Sequence, residues 1–201
     1  MAKANFKIEN LDALGRARDR VAALRDGGNK VVTRAIGTLK RKLPTWMKRD
    51  IAQEFALKQG KISARLRVKA DANSVTLTAL GRNQTLGNFP IRQTATGVRA
   101  EVRNGRPVEI PHAFMRVPAG IVSTSGPQAF IRDAAMRAIP ADVYDIALVA
   151  KDKHGYPIRL LGGPSVAMMM TEGDREDRAI AYAQDLFAQE IDRVTEATNG
   201  R

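Results

Sequence analysis

The chain has 201 residues and a net charge of +12, and it contains no cysteine. This length suits one domain with a sizeable core, whereas the lack of cysteine excludes disulfides, thiolate metal sites and a cysteine nucleophile. No run of about eighteen apolar residues occurs, so we expect neither a membrane span nor a membrane partner. The N-terminal residues lack the apolar run of a signal peptide, and we therefore expect folding in a cytosol.

The charge is unevenly distributed along the chain. Residues 1–70 contain 18 Lys and Arg against 6 Asp and Glu, residues 71–170 contain 11 against 7, and residues 171–201 contain 4 against 8. A basic first part attracts a polyanion, which can be nucleic acid or an acidic protein surface. A basic front and an acidic tail also favour head-to-tail self-association. Solvated surface helices would explain the same charges without any partner.

Three helices are predicted in the basic part, residues 1–70. Apolar residues at helical spacing predict one helix at 11–24 and a second that begins at Asn29 and ends at Pro44. Thr45 is placed to cap a third helix. The apolar stripe of the second helix comprises Val32, Ile36, Leu39 and Leu43.

Strands are predicted in residues 71–170. Val75, Leu77 and Ala79 alternate with polar residues, which is typical of a half-buried strand. Asn104 and Gly105 predict a hairpin with a type I′ turn, which needs positive φ at both central residues. Residues 82–88 are predicted to form a loop. Further strands are predicted at 89–95, 98–103, 106–110, 145–150 and 156–161.

The most specific pattern lies near the C-terminus. Tyr156 to Arg159 reads Tyr-Pro-Ile-Arg, and Gly162 to Val166 reads Gly-Gly-Pro-Ser-Val, which we interpret as a strand that ends at a turn. An amphipathic helix is predicted from Asp174 to Ala197, and its apolar stripe comprises Ile180, Ala183, Phe187, Ile191 and Val194. This layout resembles the minor tail protein Z family of tailed phages and prophages, whose members have a Leu-Pro-Ile-Arg strand, a Gly-Pro-Ser-Val turn and a terminal helix. Here Tyr replaces the Leu, and an extra Gly precedes the Pro.

Together, the patterns predict an α+β fold in a single domain, residues 1–201. Basic N-terminal helices and a long C-terminal helix are expected to pack on a mainly antiparallel sheet. Shorter segments resemble family elements in the same order, at Gly97–Ala100, Ala113–Met115 and Ala129–Arg132.

The resemblance implies a structural virion protein of the tail or neck, assembled in the cytoplasm of a bacterial host. Such a protein would form a homo-oligomeric ring, with six-fold symmetry to match the tail, at the head-proximal tail end. The ring would complete the tail for head joining, contact other tail and neck proteins, and hold the end of double-stranded DNA in its lumen. The expected mechanism is assembly, with no cofactor and no enzymatic activity.

Two sets of candidate contact residues follow from charge density and from exposed turn chemistry. The candidate polyanion contacts are Lys40, Arg41, Lys42, Lys48, Arg49, Lys58, Lys61, Arg65 and Arg67. The candidate subunit contacts are Asn104, Gly105, Gly120, Ser123, Ser125, Gly126, Lys153, His154 and Gly155.

Two alternatives stay open at this point. Residues 51–66 resemble a helix-turn-helix, so the chain could instead be a DNA-binding regulator, although helix packing alone produces the same pattern. An enzyme would need His112 or His154, which lie in different predicted loops with no carboxylate or second His at metal-ligand spacing. The sequence also lacks a P-loop, a nucleophile elbow and a His-Glu-x-x-His motif. We therefore predict that the protein is not an enzyme.

Overall fold

A computed structural model describes residues 3–8, 28–71, 74–116, 126–132, 135, 139–151 and 157–199. They form the predicted α+β fold, in which helices pack on antiparallel sheets. The helix predicted at 11–24 lies outside the described residues. The helices are α1 (Gly28–Glu54), α2 (Gln59–Ser63), α3 (Val166–Thr171) and α4 (Arg175–Asn199). The strands are β1 (Lys3–Ile8), β2 (Leu66–Ala70), β3 (Val75–Leu80), β4 (Asn83–Thr85), β5 (Ile91–Gln93), β6 (Gly97–Arg103), β7 (Arg106–Pro111), β8 (Phe114–Arg116), β9 (Gln128–Arg132), β10 (Tyr144–Lys151) and β11 (Pro157–Ser165).

The predicted helix boundary at Pro44 is wrong, because α1 continues through this residue. Proline in a helix interior removes one hydrogen bond and costs about 3 kcal/mol. Here a buried stripe at every fourth residue runs along the helix on both sides of the proline, and its burial offsets that cost. The stripe comprises Val31, Ala35, Leu39, Leu43, Met47 and Ile51.

The described strands form three antiparallel sheets. In the first sheet the order is β1-β3-β2, and α1 and α3 pack on it. The alternation predicted for β3 is confirmed, since Val75, Leu77 and Ala79 are buried and the residues between them are half-buried. The second sheet has the order β10-β11-β9-β8, with β4 also paired to β11, and the third has the order β5-β6-β7.

The strand end predicted at the Gly-Gly-Pro sequence is wrong, because β11 continues to Ser165. Gly163 is paired with Gln84 of β4. A Cβ atom at Gly163 would lie 2.7 Å from the ring of Phe89, so the missing side chain admits a buried aromatic ring and does not form a turn. Pro164 lies at a bulge in the pairing with β4, where a strand tolerates the missing N–H.

Two other segments differ from the sequence-based expectation. Residues 82–88, predicted as a loop, contain β4 and a short 3₁₀ turn at Leu86–Asn88. The helix α3 was not predicted; the hydroxyl oxygen of Ser165 accepts a hydrogen bond from the backbone N–H of Met168 at 3.1 Å and caps it.

The long C-terminal helix α4 packs along α1. Of its predicted stripe, Ala183, Phe187, Ile191 and Val194 are buried and Ile180 is half-buried. Trp46 of α1 stacks on Tyr182 of α4, with ring centroids 5.2 Å apart. Aromatic stacking of this kind contributes about 0.5–1.5 kcal/mol beyond the area that it buries. The two long helices and the first sheet therefore enclose much of the core.

Candidate functional site

A groove between α1 and the edge strand β2 gathers basic side chains above an apolar floor. Pro44, Leu66 and Val68 form the floor, and three cationic side chains lie along the rim: Lys40, Arg41 and Lys48. We call this surface the basic groove; its volume is about 360 Å³, and Thr45 and Ser63 complete its lining. Among these described lining residues none is a carboxylate, so the rim attracts anions.

Helical geometry decides which of the predicted polyanion contacts share this groove. Lys40, Arg41 and Lys48 lie on one side of α1 with Pro44 between them. Arg49 is exposed on α1 but does not line the groove. Lys42 does not line it either, and its Nζ lies 3.9 Å from a carboxylate oxygen of Glu190 on α4.

The other predicted contacts flank the groove on α2 and β2. Lys58 and Lys61 are exposed at α2, whereas Arg65 is half-buried. Arg67 is exposed on β2, but its guanidinium donates to the backbone carbonyl of Leu66 at 3.0 Å. Three of the nine predicted residues therefore line one groove, four lie on neighbouring segments, and two lie on α1 outside the groove.

A cluster of arginines and carboxylates lies at the C-terminal end of α1, and sequence reasoning missed it. Arg175 is 1% exposed, its Nε lies 2.7 Å from a carboxylate oxygen of Asp50, and its Nη2 lies 2.6 Å from Glu54. Its remaining nitrogen donates to the backbone carbonyl of Met169. Arg178 adds a 2.9 Å contact to the other oxygen of Asp50. The cluster therefore holds the start of α4 against the end of α1.

Arg103 of β6 extends the same cluster to the third sheet. It pairs with Glu54 and Glu172, and its Nε lies 3.2 Å from Asp142. The hydrogen bond to Glu172 is the main reason that the pKa of Arg103 lies above its ordinary value, and Asp142 adds to it. Phe55 is buried beneath the guanidinium, with the ring centroid 4.8 Å from Cζ. A cavity of about 390 Å³ adjoins these residues, but its carboxylates are paired with arginines, which favours a structural role.

The tip of the β6–β7 hairpin docks onto the end of α1. The backbone N–H of Asn104 donates to the carbonyl of Glu54 at 2.8 Å, and its side-chain amide donates to the carbonyls of Ala52 at 3.0 Å and Gln53 at 2.9 Å. These three carbonyls belong to the last turn of α1, where helical partners are missing. The hairpin was predicted, but the type I′ turn is wrong, because only Gly105 of the two turn residues has positive φ (71°).

We expect the Asn104→Ala variant to be less stable by about 1 kcal/mol, because two helix-end carbonyls lose their protein donor and must turn to water. Urea denaturation measures the change. The Asn104→Asp variant keeps the size of the side chain but places a carboxylate against the carbonyls at the helix C-terminus, so it should lose more than the alanine variant. Wild-type stability in both variants would show that the side chain does not cap α1.

The remaining predicted subunit contacts are only partly described. Gly105 is exposed at the hairpin tip, and Gly126 is half-buried before β9 with φ of 119°. The other candidates lie outside the described residues: Gly120, Ser123, Ser125, Lys153, His154 and Gly155.

The helix-turn-helix segment has a short second helix. α1 ends at Glu54, α2 spans only Gln59–Ser63, and β2 begins at Leu66. Ile62 of α2 is fully buried. A recognition helix presents several side chains to base edges along the major groove, and a five-residue helix that continues into a strand offers few. The exposed side of this corner carries Lys58 and Lys61, which suit contacts to a phosphate backbone.

Within the described ranges, no group of three or more His, Cys, Asp or Glu residues could hold a metal ion. None of the helices described is long and apolar enough to cross a membrane. No family model, no curated protein and no solved structure matches the chain.

Proposed function

We propose that the protein is a structural, non-catalytic component of a phage tail or tail-like particle. In this proposal it forms a homo-oligomeric ring at the head-proximal tail end or neck, where it completes the tail for head joining. The observation that carries the proposal is the ordered set of family-like motifs, above all Tyr-Pro-Ile-Arg followed by Gly-Gly-Pro-Ser-Val.

The position of these motifs in the fold supports the proposal. Pro157 to Ser165 of these motifs form β11, which pairs with β4, β9 and β10 and is the strand with the most neighbours in the second sheet. Ser165 then caps α3, which packs on the first sheet, and α4 follows directly. The residues that carry the resemblance therefore connect the first and second sheets to the C-terminal helix. A chain with a related fold would need them in the same order.

The charge distribution supports assembly through unlike surfaces. A closed ring requires heterologous contacts, in which one patch of a subunit meets a different patch of the next. The exposed face of α4 carries Glu176, Asp177, Asp185, Asp192 and Glu196. The basic groove lies on another side of α1, towards β2. One chain therefore presents two surfaces of opposite charge.

Contact with the DNA end is the second part of the proposal. Basic residues that face a ring lumen would bind the phosphate backbone without reading its sequence, and such binding weakens steeply with salt. Lys58, Lys61 and Arg67 are exposed and suit this role. The location of the protein would then be the tail or neck of the virion, after assembly in the host cytoplasm.

Complementation of particles tests the proposal directly. Particles made without this protein should contain tails that fail to join heads, and the purified protein added to those tails should restore infectious or joined particles. The protein should also remain with the joined tails on a density gradient. Normal head joining in its absence would contradict the proposal, and a dimer that shifts one specific DNA fragment would favour the regulator.

A further inference from the structure

The basic groove combines charged and apolar surface, and a nucleic-acid backbone would contact mainly the charged part. Its floor consists of Pro44, Leu66 and Val68, beneath the cationic rim. Phosphates would be attracted to the cationic rim, but they have no apolar surface to bury against the floor. A partner that binds both the cationic rim and the apolar floor would present carboxylates near an exposed apolar side chain.

The corner between α3 and α4 has these properties. Met168 is 43% exposed and is the exposed large hydrophobic residue of the described ranges. Three carboxylates follow it in sequence, Asp174, Glu176 and Asp177, whereas Glu172 is already paired with Arg103. We call Met168 and these three carboxylates the acidic corner. Glu176 and Asp177 are exposed, and Asp174 is 74% exposed although it contacts Arg178 at 3.2 Å. Methionine is a flexible, polarizable side chain that adapts to irregular apolar surfaces.

Met168 and the groove belong to elements that contact different strands of the first sheet. The strand order is β1-β3-β2, α3 packs against β1 and β3, and the floor of the groove belongs in part to β2. One chain cannot place its own corner in its own groove without unfolding, whereas a second copy can. Because the two patches differ, repetition of this contact adds copies in one direction and can close a ring.

We propose that the basic groove binds the acidic corner of a second copy of this chain, with Met168 on the apolar floor and the carboxylates against the rim. This inference rests on the proposed ring and assigns its subunit contact. The opposite charges should speed association and make it sensitive to salt. The side chains that make the contact differ from the turn residues selected from the sequence.

Two blocked variants of the full chain test this contact. The groove variant carries Lys40→Glu, Arg41→Glu and Lys48→Glu, and the corner variant carries Met168→Lys, Glu176→Lys and Asp177→Lys. Each should raise the dissociation constant for self-association about 100-fold or more, since like charges then face each other. A third variant with Arg82→Glu, Arg92→Glu and Arg116→Glu reverses three exposed arginines elsewhere and should associate as the wild type does. Circular dichroism checks that each variant is folded.

The mixture of the two blocked variants gives the decisive result in analytical ultracentrifugation. The groove variant keeps an intact corner, and the corner variant keeps an intact groove, so together they should form one-to-one complexes that neither variant forms alone. The reversed groove and the reversed corner are also opposite in charge, so these complexes can extend into alternating oligomers. Self-association that persists in either variant, or a wild type that stays monomeric up to its solubility limit, would overturn the proposed contact. Loss of DNA binding with unchanged self-association in the groove variant would overturn it too and assign the groove to nucleic acid. If the two variants associate only when mixed but the wild type forms open filaments, the contact is supported and the ring is rejected. If each variant alone still forms rings, the ring is supported and the contact is rejected.

Discussion

The Arg175→Met variant is expected to lose about 3 kcal/mol of stability, because removal of the buried partner from an ion pair leaves the other buried charge poorly compensated. Asp50 is 8% exposed and would keep Arg178, which is itself 45% exposed. Glu54 would keep Arg103. The backbone carbonyl of Met169 would also lose its donor. Methionine fills a similar volume, so the loss would reflect charge and hydrogen bonding more than a cavity.

Urea denaturation of purified variants measures this change, and Arg193→Met is the matched control. Arg193 lies on the same helix and pairs with Glu190 at 2.9 Å, but it is 66% exposed. Exposed pairs of this kind contribute between about 0 and 1 kcal/mol. If Arg175→Met were as stable as Arg193→Met, the cluster would not hold α4 to α1. The Arg175→Lys variant should fall between them, because lysine keeps the charge but cannot reach both carboxylates with a planar fork.

The second large effect is expected for Gly97→Ala, which should destabilise the protein by about 3 kcal/mol through overpacking of a closed strand pair. A Cβ atom at Gly97 would lie 2.1 Å from the backbone oxygen of Ile110 and 2.9 Å from its carbonyl carbon. Both are backbone atoms, so no rotamer change can relieve the overlap. Gly97 is paired with Pro111 in the register of β6 and β7, and the strands would have to separate locally.

The Gly37→Ala variant is the matched control for this substitution. Gly37 lies within α1, and a Cβ atom there would meet no atom within 4 Å. Alanine in a helix interior is more favourable than glycine by about 1 kcal/mol, so this variant should be more stable than the wild type. Thermal denaturation of the two variants side by side should shift the midpoint in opposite directions. Equal midpoints would contradict the close approach of β6 and β7.

Local periodicity was enough to predict the elements whose burial pattern follows the chain. The alternation in β3 and the apolar stripe of α4 are confirmed because the same side chains that set the pattern are buried. The predictions at Pro44 and Gly163 were wrong because tertiary contacts, and not the local pattern, decide the structure there. Both residue types usually interrupt regular structure, but packing along α1 and the ring of Phe89 decide their conformation here, and those contacts are tertiary.

In the candidate site, too, local sequence predicted some residues and tertiary contacts determined the others. Charge density selected the rim of the basic groove, but its apolar floor comes in part from β2 and could not be read from residues 40–48 alone. The arginine–carboxylate cluster joins Asp50 to Arg175 across 125 positions, and no local pattern connects them. One signal was present, however. Arg175 stands at the start of α4, where the helix dipole disfavours a cation, and such a residue needs a carboxylate partner from elsewhere.

The most direct test of the central claim is the mass and shape of the purified protein, by light scattering and negative-stain imaging at low and at high salt. The ring proposal predicts closed particles of defined copy number, six if they follow the symmetry of a tail, at low salt and smaller species at high salt because charged contacts are screened. If the protein is a monomer at both salt concentrations, isolated tails lacking it serve as the template. A protein that neither forms rings nor binds those tails would contradict the account.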